Sequence, residues 1–297
     1  DEAASVGFAR GSSHFFVKKR PRGDGGGRSG GGNGEEVRGT DLILRNLREG
    51  YDELIGSVDE SEFNKSGTHL AYTVDAADRD GNGLYLVELR TSARRALDNA
   101  KERYSDLTWS EEGEAVAVLR GKEPDGKTER VNALLAFTGL EGEAPVRHAL
   151  HPDSLEGLPE GYVLSERGGL DWSSGLETVF LGIKAQDEEL EDWPDDGLPL
   201  ADVNIWHWAD DRIQTAQMRQ RSRDRSRTFL AAVHLAQKRL VPLADSVMKT
   251  VEVTRDGRWA MGRDESSYIS DWKPSLADYY RIDTRTGERT PVLQAHQ

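Results

Sequence analysis

The feature that most limits what this chain can fold into is a short unit that recurs along it. The unit is an aromatic residue, two or three small or polar residues, a Gly, then an apolar run with an Ala or another small residue inside it. It reads Phe63-Asn64-Lys65-Ser66-Gly67 before Leu70-Ala71-Tyr72-Thr73-Val74, and again Trp109-Ser110-Glu111-Glu112-Gly113 before Val116-Ala117-Val118-Leu119. Trp172-Ser173-Ser174-Gly175 with Val179-Phe180-Leu181 is a third copy, and Val253-Thr254-Arg255-Asp256-Gly257 with Trp259-Ala260-Met261 a fourth. A weaker copy opens the chain, Phe8-Ala9-Arg10-Gly11 with Phe15-Phe16-Val17. Each predicts a β-hairpin, two strand-forming runs joined at a Gly free to take a positive φ.

A second unit alternates with the first: a run of alternating apolar residues, a polar or Gly turn, and another short strand. Leu42 to Leu47 turns at Glu49-Gly50, Leu84 to Leu89 at Thr91-Ser92, and Asn132 to Phe137 at Thr138-Gly139. Phe229 to Leu235 turns near Gln237-Lys238, and Tyr279 to Asp283 at Thr286-Gly287. The period of two predicts one buried face and one solvated face for these strands. Hairpin plus hairpin makes a four-stranded antiparallel sheet, and the pair occurs five times.

Phe63 and Trp109 stand about 46 residues apart, close to the ~40–50 of a propeller blade. One four-stranded sheet cannot cover both of its own faces, whereas sheets stacked around an axis cover one another and keep only short edges. The chain is therefore expected to be all-β, a β-propeller with blades at roughly 1–58, 59–104, 105–150, 165–247 and 248–297, and an insertion at 185–227. A β-sandwich fits the blade-length repeat less well. Complete rings have about 4–8 blades, and five here predict an incomplete ring. The chain opens at Asp1 without Met or an apolar signal, as a processed form, a trimmed piece or a fragment would.

Composition narrows the function classes. With 39 basic against 53 acidic residues the net charge is −14, the wrong sign for a nucleic-acid partner. No stretch reaches the roughly 18–20 apolar residues of a membrane span. The absence of Cys removes disulfides, thiolate zinc sites and a Cys nucleophile. It leaves the compartment open between a periplasmic or secreted location, which is the expectation, and the cytoplasm.

Residues 23–34 are nearly pure Gly, but Glu35-Glu36 follow where a phosphate loop needs Lys and Ser or Thr, so a linker loop is expected. Asp78-Arg79-Asp80-Gly81-Asn82-Gly83 begins like a calcium loop, yet the bidentate Glu falls one residue early, at Glu88, and a turn before a strand explains it. His148, His151 and Asp153 have a one-turn helical spacing that Pro152 and the strand-rich context oppose as a metal site. No cofactor or metal is expected.

In the acidic run 186–196, Trp193 is a candidate contact to a partner or adjoining domain. The run 203–208 reads as a strand with Trp206 and Trp208 on one face and His207, a second candidate contact, on the other. Arg219, Arg221, Arg223, Arg225 and Arg227 fall at every second position within 210–227, a basic face on a strand but scattered on a helix. Arg223 is the third candidate contact, and pairing of these arginines with the preceding acidic run is expected. There is no Gly-x-Ser-x-Gly elbow to anchor a catalytic triad, and no converging acids or histidines are evident at the starts of the axial strands.

Several blocks resemble the N-terminal propeller of bacterial prolyl oligopeptidase-family serine peptidases. They are Thr40-Asp41-Leu42-Ile43-Leu44-Arg45, Phe63 to Thr68 with Leu70 to Asp78, and Gly81-Asn82-Gly83 before Tyr85-Leu86. Leu107-Thr108-Trp109 with Ala117 to Gly121, Trp206-His207-Trp208, and Gly257 to Asp264 complete the set. In that family the propeller caps an α/β-hydrolase domain that carries a Ser-Asp-His triad. The resemblance implies that this chain ends before the hydrolase domain and before the last blades. It implies a non-catalytic filter that passes peptide substrate to the domain beyond. The paired-Glu motif of the dipeptidyl-peptidase branch is absent. TolB-like propellers share the Gly-anchored hairpin, so a free-standing TolB- or WD-like protein-interaction propeller is the alternative.

Overall fold

The structure, a computed structural model, describes residues 3–20, 38–142, 144–188, 214–269 and 275–297. The segments 23–34 and 203–208, Trp193 and His207 lie outside the described residues, as does most of the acidic run.

Strands β1 (Ala3–Phe8), β2 (His14–Lys19), β3 (Thr40–Asn46), β4 (Asp52–Phe63), β5 (His69–Val74), β6 (Gly83–Glu88) and β7 (Ala93–Asn99) form one antiparallel sheet in chain order. Three four-stranded sheets follow. The first holds β8 (Arg103–Trp109), β9 (Ala115–Lys122), β10 (Val131–Thr138) and β11 (Val146–Leu150). The next holds β12 (Tyr162–Trp172), β13 (Thr178–Ala185), β14 (Phe229–His234) and β15 (Arg239–Pro242). The last holds β16 (Thr250–Val253), β17 (Trp259–Asp264), β18 (Ala277–Asp283) and β19 (Arg289–His296).

The seven-stranded sheet is two blades fused through β4. Ser57 sits at φ 54°, and Val58 pairs with Thr40 on one side and Val74 on the other. Up to that bend β4 is the outer strand of the first blade; beyond it β4 is the inner strand of the second. The fold is all-β and β-propeller-like, with the sheets forming an open succession. Its one described α-helix, α1 (Gln214–Arg225), buries no residue.

Each sheet packs on the next through its own core. Phe16, Leu42, Leu44 and Ile55 meet Leu70, Tyr72 and Val87; Ala71, Leu84 and Leu86 meet Val116, Val118, Leu135 and Phe137. Ala117, Leu119, Leu134 and Ala136 meet Leu164, Val179, Leu181 and Ala231, and Phe180, Ala232 and Val241 meet Ala260 and Ile282. This corrects the expectation of one solvated face: Asn132 to Phe137, one of the runs expected to alternate, is buried throughout, and so are Ala115 to Leu119 and Thr178 to Lys184. A middle blade has a neighbour on both sides, so alternation sorts side chains between two cores rather than between core and water. Alternation in the expected manner is found at the two ends of the succession, along β2 and β3 in the first blade and along β16 and β17 in the last.

The recurrent residues join neighbours. The indole Nε1 of Trp109 donates to the Glu62 carbonyl at 3.0 Å, and that of Trp172 to the Thr108 carbonyl at 3.4 Å. In each case the acceptor immediately precedes the aromatic anchor of the blade before. The residue after each anchor closes its own turn: Asn64 Oδ1 accepts from Thr68 and His69, and Ser110 Oγ from Glu114 and Ala115. Gly67, at φ 70°, lies so close to the preceding blade that an added Cβ would stand 2.4 Å from the Arg10 carbonyl oxygen. In the third copy Gly175 does not take the left-handed conformation; Leu176 does, at φ 57°.

Candidate functional site in the axial passage

The first strands of successive blades lie side by side, β1 against β4, β4 against β8 and β8 against β12. Three of them are bulged at one level, between Val58 and Ser61, Ser105 and Thr108, and Ser165 and Leu170. A bulge adds residues that the neighbouring strand cannot pair, so it frees polar groups to point elsewhere. Here the freed residues are Asp59-Glu60, Asp106-Leu107 and Glu166 to Gly169. They bring Glu60, Asp106 and Glu166 into electrostatic contact.

This overturns the expectation that no acids converge on the axial strands. Glu60 and Asp106 each stand three residues before an aromatic anchor, Phe63 and Trp109, which is a sequence signal for both. Glu166 breaks that spacing because its bulge is longer, and no local signal marks it.

The acids are held from both sides. Glu60 accepts the backbone N–H of Asp106 at 3.1 Å and of Leu107 at 2.6 Å, bonds made possible because Asp106 takes φ 59°. Ser105 Oγ donates to Glu166 at 2.9 Å, and the buried Arg130 reaches both Glu166 oxygens at 3.0 and 2.8 Å. Arg103 lies 3.5 Å from Asp59, whose backbone carbonyl accepts from Lys18 Nζ. Beside them the buried pair Lys184–Glu129 closes at 2.8 Å, with Arg167 on the same carboxylate at 3.2 Å.

Burial moves these groups away from their ordinary values. It pushes Asp106 up to about 7, with the Glu60 and Glu166 charges adding to the effect. Burial raises Glu60 too, against the opposing hydrogen bond from Leu107, and it lowers Lys18. Asp106 Oδ2 is buried without a hydrogen-bond partner. A cavity of about 450 Å³ opens beside the cluster, lined by Ser5, Lys18, Asp59, Glu60, Ser61, Glu62 and Leu107.

A larger cavity, about 780 Å³, lies over the turns of the first three blades. Three of its arginines are engaged: Arg90 with Glu88, Arg94 with Glu53, and Arg95 with the carbonyls of Leu140 and Gly142. Among the described residues no group of three or more His, Cys, Asp or Glu is arranged to hold a metal ion. Asp78 to Gly83 form a turn in which Asp78 accepts the Asp80 N–H and Asp80 pairs with Lys101 at 2.5 Å. His148 is on β11 and His151 follows it before a short 3₁₀ turn, so the two do not share a helical face. Arg223 is exposed on α1, where the alternate arginines scatter around the helix; Arg227 pairs with Asp224 at 3.1 Å. No helix among the described residues is long and apolar enough to cross a membrane.

Fold and axial cluster together define a β-propeller-like protein with a charged passage along its inner strands. No family model matches the chain, and no curated protein matches it. Among solved structures, the β-propeller domain of the Trilobed protease from Pyrococcus furiosus is similar at 10% identity and a TM-score of 0.43, over 94% of this chain and 67% of that one. TolB from Acinetobacter baumannii is similar at 10% identity and 0.40, over 100% and 56%. The acylaminoacyl peptidase of Pyrococcus horikoshii is similar at 11% identity and 0.40, over 94% and 37%. The chain thus spans between 37% and 67% of the length of these proteins. The fold assignment rests on the sheets described above, and these distant likenesses add nothing about function.

Proposed function

We propose that the chain is the access-filtering propeller of a serine peptidase of the prolyl oligopeptidase family, positioning peptide substrate for an α/β-hydrolase domain outside these 297 residues. The observation that carries this reading is the axial arrangement. Three inner strands, bulged at one level, direct ionisable groups toward a polar passage, and hydrogen bonds between blades tie its walls together. Its cavity of about 450 Å³ falls within the usual range for small-ligand sites, ~300–1,000 Å³. A wall that mixes Ser5, Lys18, Asp59 and Glu60 can take up the alternating donors and acceptors of an extended peptide backbone. The role is admission and orientation; bond cleavage belongs to the domain beyond. A periplasmic or secreted location suits this role.

The test is the reading frame beyond Gln297 and the activity of its product. The frame is expected to continue into a domain with a Gly-x-Ser-x-Gly elbow. The purified polypeptide should cleave short peptides, leave folded proteins intact, and lose activity when the elbow Ser becomes Ala. A frame without such a domain, together with recovery of a stable protein partner and no peptide hydrolysis, would move the chain to the TolB- or WD-like interaction class.

A further inference from the structure

The two ends of the sheet succession are unlike each other. In every hairpin of the first type the anchor pairs with one residue of the second strand: Phe63 with Leu70, Trp109 with Val116, Trp172 with Val179 and Val253 with Ala260. These partners face the preceding blade and are fully or almost fully buried, as are Tyr72, Val118 and Leu181 two residues on. In the first blade the equivalent pair is Phe8 with Phe15, and the residue two on is Val17.

That receiving face carries a lateral row across all four strands. Val6 pairs with Val17, Val17 with Ile43 and Ile43 with Leu54. Phe8 and Phe15 pack beside the row with ring centroids 5.5 Å apart and the rings tilted by 32°. Yet Val6 is 53%, Leu54 62% and Phe8 66% exposed. Position by position, the first blade has the same interface as the others with no neighbour on it.

We propose that a further four-stranded blade of the same polypeptide packs on this face, seating aliphatic or aromatic side chains against Val6, Val17, Ile43, Leu54 and Phe15. Three observations select that occupant. The face continues a blade-to-blade interface already made four times in the molecule. The outgoing face of the last blade does not complement it: Arg281 stands where the other blades present Leu44, Leu86, Ala136 and Ala232, and its guanidinium lies over the Trp259 ring at 4.4 Å. A second copy pairing the same face would set receiving face against receiving face, whereas every interface in the chain joins an outgoing face to a receiving one. The proposal stands independently of the peptidase reading.

The absence of Cys from these residues allows a direct test. Leu54→Cys on the face, and Met218→Cys on the exposed side of α1 as a control, are placed in the 297-residue chain and in the polypeptide as its gene encodes it. Maleimide labelling rates are then compared. In the 297-residue chain the two sites are expected to react at similar rates. In the encoded polypeptide Leu54→Cys should slow by on the order of 100-fold, as for a site reached only through local opening, with the control unchanged. As a second readout, Leu54→Lys should lower the melting temperature of the encoded polypeptide and leave that of the shorter chain nearly unaltered. Equal labelling in both forms overturns the proposal. So does a gene without a further blade, or protection in the short chain that grows with concentration alongside a doubled mass.

Discussion

Asp106 is where backbone geometry and charge meet most directly. Its left-handed backbone turns two N–H groups toward Glu60, and the same turn leaves its own carboxyl between Glu60 and Glu166 with one oxygen buried and unpaired. The sign of the consequence is definite. The folded-state pKa lies near 7, above the ordinary Asp value of about 3.9, so the fold favours the neutral acid. Relative to this group, stability is full below about pH 4, declines as pH rises, and is fully reduced above about pH 7. Asp106→Asn should therefore match the parent in urea unfolding near pH 4 and exceed it by about 1–2 kcal/mol at pH 8. That figure is far below the full shift, because Asp106 is only partly buried and solvent screens its charge. Equal stabilities at both pH values would remove the account. The acid itself was legible three residues before Trp109. Its environment was not, because Glu60 and Glu166 reach it from strands 46 and 60 residues away in sequence.

At the scale of the element, the hairpin unit joins neighbours as well as making its own turn. Asn64 and Ser110 satisfy turn N–H groups that would otherwise be unpaired, a local role that a small polar residue after an aromatic anchor announces in any sequence. The aromatic residue acts across the interface: Trp109 bonds the Glu62 carbonyl while its ring fills the core between the second and third blades. Trp109→Phe keeps most of the packing and loses the donor. It should cost about 1–2 kcal/mol in chemical denaturation, with far-UV circular dichroism unchanged. Trp172→Phe, with its longer 3.4 Å bond, should cost less. The order reverses if ring shape, rather than the hydrogen bond, explains the recurrence of Trp. The hairpins and their turns could be read from the repeat because they depend on near neighbours. The conformation of Leu176 could not, since a Gly stood beside it as the more obvious candidate.

Across the whole molecule, burial depends on a blade's place in the succession. Leu70 and Leu54 are both leucines on strands of antiparallel sheets, yet Leu70 is enclosed between the first two blades and Leu54 lies on the open face. In the 297-residue chain, Leu70→Ala should cost about 2–5 kcal/mol and Leu54→Ala less than about 1, measured by urea unfolding at fixed protein concentration. Similar costs at the two sites would mean that the first blade is covered already. The repeat by itself determined the strand pairs, their turns and the propeller-like class, because hydrophobic period and turn chemistry act over a few residues and need no knowledge of what lies opposite. Only the tertiary structure decided that the middle blades bury both faces, that β4 serves two blades, and that three acids from separate repeats share one passage. Each of those depends on which strands stand side by side, and a charge or a methyl group feels its neighbours through space, whatever their separation along the chain.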